Sequence, residues 1–215
     1  MAESLQAGEQ PFGPGVHHRP EQPGGNAILL THGAGFNCSA PLLVNLARAF
    51  AANGHLVFRY NLPFRAARPH GPPFPAGAAR DREGVAEAIA GIRKMVDGRV
   101  IAGGHSYGGR QTAMLAAERP GLADALLLLS YPLHPPDKPE QRRIAYFPNL
   151  RTPALFVHGT ADPFGSPEEL REAIAGIPAP TGVLLVEGAA HDLKGAADLA
   201  TGILSRLEAL AAPPR

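Results

Sequence analysis

The sequence predicts one α/β domain with a mostly parallel central sheet and helices on both faces. Three observations predict it. Six short apolar runs carry no internal alternation, the pattern of strands buried on both faces. Amphipathic stretches with helical spacing lie between those runs. The 215 residues are 45% hydrophobic and 18% charged, enough apolar side chains for one sizeable core.

In chain order, residues 1–26 are rich in Gly, Pro, Gln and His, and no apolar periodicity predicts more than one short strand there, around residues 15–19. The domain proper is expected over residues 27–215. Its strands are predicted at 27–30, 56–60, 100–103, 125–130, 154–157 and 183–186. A helix is predicted over 41–52, where Leu42, Leu43, Leu46, Ala49 and Phe50 share one face, and another over 80–96 through Val85, Ala88, Ile89, Ile92 and Val96. Similar patterns cover 110–118, 168–174 and 199–210. Two stretches break the rhythm: residues 62–77, with five prolines, and the Pro-rich residues 131–152. Both follow the C-terminal ends of expected strands, the edge where open α/β sheets bind ligands.

Composition narrows the function. Twenty Lys+Arg stand against 19 Asp+Glu, with no block of like charge. This balance gives no reason to expect a nucleic acid or an anionic membrane as partner. The single cysteine, Cys38, excludes an internal disulfide framework and a Cys-rich zinc site. No apolar run approaches the ~20 residues of a membrane span, and the first ten residues lack a signal-like apolar region, so a cytoplasmic protein is expected. No G-x-G-x-x-G follows the first strand and no H-E-x-x-H occurs, so neither cofactor nor metal is implied.

Gly104-His105-Ser106-Tyr107-Gly108 carries the chemistry. It matches G-x-S-x-G, follows the strand at 100–103 and opens into helical spacing, the setting in which a serine sits on a tight, strained turn. Glycines two positions away on each side let strand and helix approach. The hydroxyl would lie at a helix N-terminus, where the dipole favours a developing anion.

Together with Thr31-His32-Gly33-Ala34-Gly35, Arg59-Tyr60-Asn61-Leu62-Pro63 and the continuation Gly109-Arg110, this motif makes the chain resemble the α/β-hydrolase superfamily from residue 27 to 210. Within it the chain looks like the small, cap-less branch, related to dienelactone-hydrolase-like enzymes and to the testis-expressed and NSL-complex-subunit proteins. The resemblance implies a triad in the order Ser, acid, His. Of the histidines after Ser106, His134 falls in a Pro-rich passage and His158 ends a strand. His191 lies just after the last strand, where the family places its base. Asp162, in His158-Gly159-Thr160-Ala161-Asp162-Pro163, matches the family's H-G-x-x-D; an Asx-turn before Pro163 would be compatible with that role. Asp192 is the second candidate acid, disfavoured by its adjacency to His191. By the same resemblance the oxyanion donors are the N–H groups of Tyr107 and Ala34, with Gly35 as the alternative to Ala34.

Gly35, Phe36, His105 and Phe164 are the expected substrate-binding residues. Cys38 is expected as a buried thiol, because the cysteine nucleophile of dienelactone hydrolases occupies the elbow and here the elbow holds Ser106. Arg110 is expected in a structural salt bridge. The activity implied is hydrolysis of a small carboxylic ester or thioester through an acyl-enzyme. The alternatives are acyl transfer on the same triad, or a non-catalytic scaffold or complex subunit. Residues 131–152 are too few to build a lid domain. Leu133, Tyr146, Phe147 and Leu150 are expected as an apolar rim that, with Phe36, Phe64 and Phe164, forms a shallow open cleft for short acyl chains.

Overall fold

The computed structural model describes residues 9–12 and 14–211. Its eight strands form one sheet in the order β1-β2-β4-β3-β5-β6-β7-β8. They are β1 (Glu9–Phe12), β2 (Gly15–His18), β3 (Ala27–Thr31), β4 (Leu56–Tyr60), β5 (Val100–His105), β6 (Ala125–Leu129), β7 (Ala154–Gly159) and β8 (Thr181–Val186). The helices are α1 (Pro41–Ala52), α2 (Pro63–Ala67), α3 (Ala78–Arg93), α4 (Tyr107–Glu118), α5 (Pro167–Ile174) and α6 (Ala200–Leu210). From β4 to β8 every pairing is parallel, whereas β1 pairs antiparallel with β2 and β2 antiparallel with β4. No helix among the described residues is long and apolar enough to cross a membrane.

The apolar runs become strands because both of their faces are covered. In β3, Leu29 packs with Phe58, Val85 and Ile89 on the α3 side, while Ile28 and Leu30 pack with Leu43, Leu46 and Phe50 of α1 on the other. All five β3 residues are buried. The α5 N-terminus carries Pro167 and a reciprocal cap between Ser166 and Glu169, so this short helix begins sharply after the turn at Asp162.

Three sequence expectations need correction. Residues 1–26 supply two strands rather than at most one. The second is held by β4, with Val16 opposite Arg59 and His18 opposite Val57, and its inner residues are the polar His17 and His18, which give no apolar signal. Residues 62–77 contain α2 and a 3-10 turn at Pro75–Gly77, each begun by a proline at a position where a missing N–H costs nothing. The supposed rim of 131–152 is core: Leu133, Phe147 and Leu150 are buried and Tyr146 packs against them. Tyr131 donates to the Arg143 carbonyl at 2.5 Å and shares a 2.6 Å hydrogen bond with Tyr146, folding the passage down onto the sheet.

The strand order reverses between β3 and β5, where Thr31 lies beside Gly104. Crevices at such a reversal are where open α/β sheets hold ligands. The turn after β3 and the turn after β5 therefore face each other across one site.

Candidate active site

β5 delivers Ser106 to that crevice in a backbone conformation of φ 50° and ψ −116°, which side chains with a Cβ rarely adopt. Two flanking glycines are required. A Cβ at Gly104 would fall 2.2 Å from the Thr31 carbonyl oxygen, and one at Gly108 would fall 2.4 Å from Thr31 Oγ1. The turn is pinned on both sides, since the Ser106 N–H donates to Leu129 O at 2.8 Å and the Ser106 carbonyl accepts from the Arg110 N–H at 2.9 Å.

Ser106 Oγ lies 2.8 Å from His191 Nε2, and His191 Nδ1 lies 2.9 and 3.0 Å from the two oxygens of Asp162. These partners assign the tautomer: Nδ1–H donates to the carboxylate, leaving Nε2 to accept from the hydroxyl. Asp162 ends the turn after β7 and also accepts from the Phe164 N–H at 2.9 Å, so the Asx-turn and the imidazole contact coexist. Burial pushes its pKa up, but the hydrogen bond and charge of His191, with the Phe164 N–H, outweigh burial and hold it below the ordinary carboxylate value.

Two rings bracket His191. Phe164 lies against it with centroids 4.1 Å apart, and His105 with centroids 5.0 Å apart. His105 Nε2–H donates to the His191 carbonyl at 2.7 Å, fixing the loop that carries the imidazole. Burial, ahead of all other causes, lowers the His105 pKa to about 4, so this ring is neutral near pH 7. The other two histidines that follow Ser106 in the chain bond elsewhere. His158 donates from Nε2 to Gly165 O at 2.7 Å, with its Nδ1 3.9 Å from Asp162. His134 bonds to Pro135 O and faces Glu169. Asp192 accepts from the Lys194 N–H at 3.3 Å, and among the described residues it bonds neither Ser106 nor His191.

The turn after β3 holds the opposite wall. Among the described residues no backbone acceptor takes the N–H of Ala34, of Gly35 or of Tyr107. His32 locks the turn by donating from Nδ1 to Gly33 O at 2.9 Å and accepting the Leu62 N–H on Nε2 at 3.1 Å. Burial lowers its pKa to about 4. Phe36 is exposed (53%), and among the described residues nothing beyond its chain neighbours lies within 4 Å of the Cβ position of Gly35. Cys38 is buried and its N–H donates to Asn61 Oδ1 at 2.7 Å, away from Ser106.

Two residues absent from the sequence reading hold this geometry. Arg65, buried, donates to five carbonyls: Ala34 and Phe36 at 2.8 Å each, Pro69 at 2.7 Å, Gly71 at 3.1 Å and Arg68 at 3.2 Å. Asp81 accepts the Tyr107 hydroxyl at 2.7 Å and the Phe64 N–H at 2.9 Å, tying the residue after Ser106 to α2. Asp81 had a signal: it occupies the apolar stripe of α3, four residues before Val85 and eleven before Ile92. Arg65, inside a proline-rich passage, had none. The salt bridge expected for Arg110 is not formed among the described residues.

A serine hydroxyl bonded to an imidazole that is itself oriented by a carboxylate is equipped to lose its proton to that imidazole. Among the described residues no cluster of three His, Cys, Asp or Glu is placed to hold a metal ion.

Comparison with known proteins agrees with this architecture. The family described as alpha/beta hydrolase domain matches residues 24–208. The chain is similar in fold to a serine hydrolase homologue from Coxiella burnetii (TM-score 0.71, 16% identity, covering 96% of this chain and 100% of that one). It is also similar to a lidless a/b serine hydrolase from Xanthomonas campestris (TM-score 0.72, 14% identity, 99% and 100% covered). A dienelactone hydrolase from Anabaena variabilis shares the fold at a TM-score of 0.70 and 18% identity, covering 91% of this chain and 90% of that one.

Proposed function

This chain belongs to the alpha/beta hydrolase family, and we propose that it is a serine hydrolase of small carboxylic esters or thioesters. The observation that carries the reading is the unbroken line from a strained Ser106 through His191 to Asp162. Ser106 Oγ attacks the substrate carbonyl carbon while its proton passes to His191 Nε2. The oxyanion is held by the N–H of Tyr107 and that of Ala34, with Gly35 as the neighbouring donor. Collapse breaks the bond to the leaving oxygen or sulfur, which takes the proton back from Nε2. Water then gives a proton to His191 and its oxygen attacks the acyl carbon, releasing the acid and restoring Ser106. Asp162 stays ionised throughout and stabilises the imidazolium.

The partial exposure of Ser106, which leaves its hydroxyl within reach of solvent, supports water rather than a second alcohol as the acceptor. Hydrolysis of a panel of p-nitrophenyl, thioester and lactone substrates, compared with Ser106→Ala, tests this. Turnover by the wild type that the variant loses supports the reading. A folded wild type inert to every substrate would favour a scaffold role.

A further inference from the structure

We propose that an apolar cavity beside His191 receives the leaving group, making the substrate a short-acyl ester of a compact apolar alcohol; this rests on the roles of Ser106 and His191 given above. The cavity has a volume of about 320 Å³ and lies between the start of α1 and residues 192–197. Phe36, Leu42, Leu193 and Ala197 supply most of its apolar lining; the polar side chains in its lining are Asn45, Asp192 and Lys194, and the last two are exposed, so that their charges stay in water. His105, the residue before Ser106, is part of its lining. That ring is neutral and its Nε2–H is already committed to the His191 carbonyl, so it presents no buried charge to an apolar guest.

Position decides which half of the ester enters. The departing oxygen receives its proton from His191 Nε2 and must therefore lie on the His191 side of Ser106. The segment lining the cavity is the direct continuation of His191. On the Tyr107 side Phe64 packs edge-on to Tyr107 at 5.6 Å, and the large apolar side chains of the passage after β6, Tyr131, Leu133, Phe147 and Leu150, are buried in the core. A long acyl chain has no wall to bury against there, whereas the leaving group has one. An apolar cavity of about 150 Å³ is enough for a benzene ring. This open cavity therefore takes one ring or a chain of about six carbons, and kcat/KM rises by up to about fourfold for each methylene buried.

The experiment measures kcat/KM for methyl, butyl, hexyl, octyl and benzyl acetate, and separately for p-nitrophenyl acetate, butyrate and octanoate. The wild type should favour butyl, hexyl and benzyl over methyl acetate by at least about tenfold, level off beyond hexyl, and fall along the acyl series. Ala197→Phe, which fills the cavity, should collapse the benzyl-to-methyl ratio towards one. Leu42→Ala, which enlarges it, should move the plateau to longer alcohols and keeps the test alive should the first variant misfold. The acyl-series ratios should stay at the wild-type values in both. A flat alcohol series, or variants that alter the acyl series instead, would overturn the proposal while fluorophosphonate labelling of Ser106 left the hydrolase reading standing. Failure of the wild type to be labelled would remove that reading itself.

Discussion

Replacing Arg65 should damage turnover more than affinity, although the side chain lies behind the crevice wall. Its guanidinium binds five backbone carbonyls, of which Ala34 and Phe36 belong to the turn proposed to carry an oxyanion donor and the other three to residues 68–71. Arg65→Met removes every one of these bonds; Arg65→Lys keeps one nitrogen with three protons and cannot span the same fork. A hydrogen bond to a charged group is worth about 1.5–3 kcal/mol, and water can replace part of the loss at an exposed turn. We therefore expect destabilisation of about 3–4 kcal/mol for the Met variant, a fall in Tm of about 10 °C for a chain of this length. One displaced oxyanion donor costs up to about 10²–10³ in kcat. At a temperature where circular dichroism shows both proteins folded, kcat on p-nitrophenyl acetate should drop on the order of 10- to 100-fold, with KM changed by less than about threefold and no rescue by Lys. A Met variant with wild-type kcat, or a Lys variant that restores it, would refute the reasoning.

Other outcomes follow from the same geometry. Ser106→Ala should abolish ester turnover by several orders of magnitude while Tm holds or rises, because a strained site is relieved; substantial residual activity would displace Ser106 as nucleophile. His191→Ala should be equally severe and the double variant hardly worse, whereas additive losses would mean separate roles. Asp162→Asn should cost about 10⁴-fold, the effect of the corresponding change in a serine protease; wild-type turnover would move suspicion to Asp192. His32 and His105 have folded pKa values lowered to about 4, so the unfolded chain binds more protons than the native one between pH 6.5 and 4. Their stabilising contribution is full above pH 6.5 and is lost as pH falls, about 3 kcal/mol each by pH 4; urea melts showing level stability across that window would contradict it.

The sheet was legible because its strands are buried on both faces and therefore continuously apolar. The run at 56–60 and the helix at 41–52 have the bounds the sequence predicts. The elbow was legible because its glycines are forced by contacts with Thr31. The strand expected around 15–19 is β2, although its inward residues are His17 and His18 rather than apolar ones; β1, joined to the sheet through its pairing with β2, carries no apolar pattern in the sequence and was not foreseen. The fate of 131–152 was misread for a different reason: Leu133, Phe147 and Leu150 suit a rim or a core equally, and the tyrosine hydrogen bonds that decide between them are not written in composition. Arg65 was invisible because its hydrogen-bond partners are main-chain carbonyls, which leave no trace in side-chain pattern.

The central claim is that Ser106 becomes acylated with His191 as its base. Intact-protein mass spectrometry, with peptide mapping, of protein acid-quenched during turnover of p-nitrophenyl acetate tests it most directly. The account predicts one acetyl group per chain, confined to the peptide holding Ser106, absent from Ser106→Ala and formed orders of magnitude more slowly in His191→Ala. An acetyl group on another residue, or acetylation of Ser106 at an unchanged rate without His191, would contradict it.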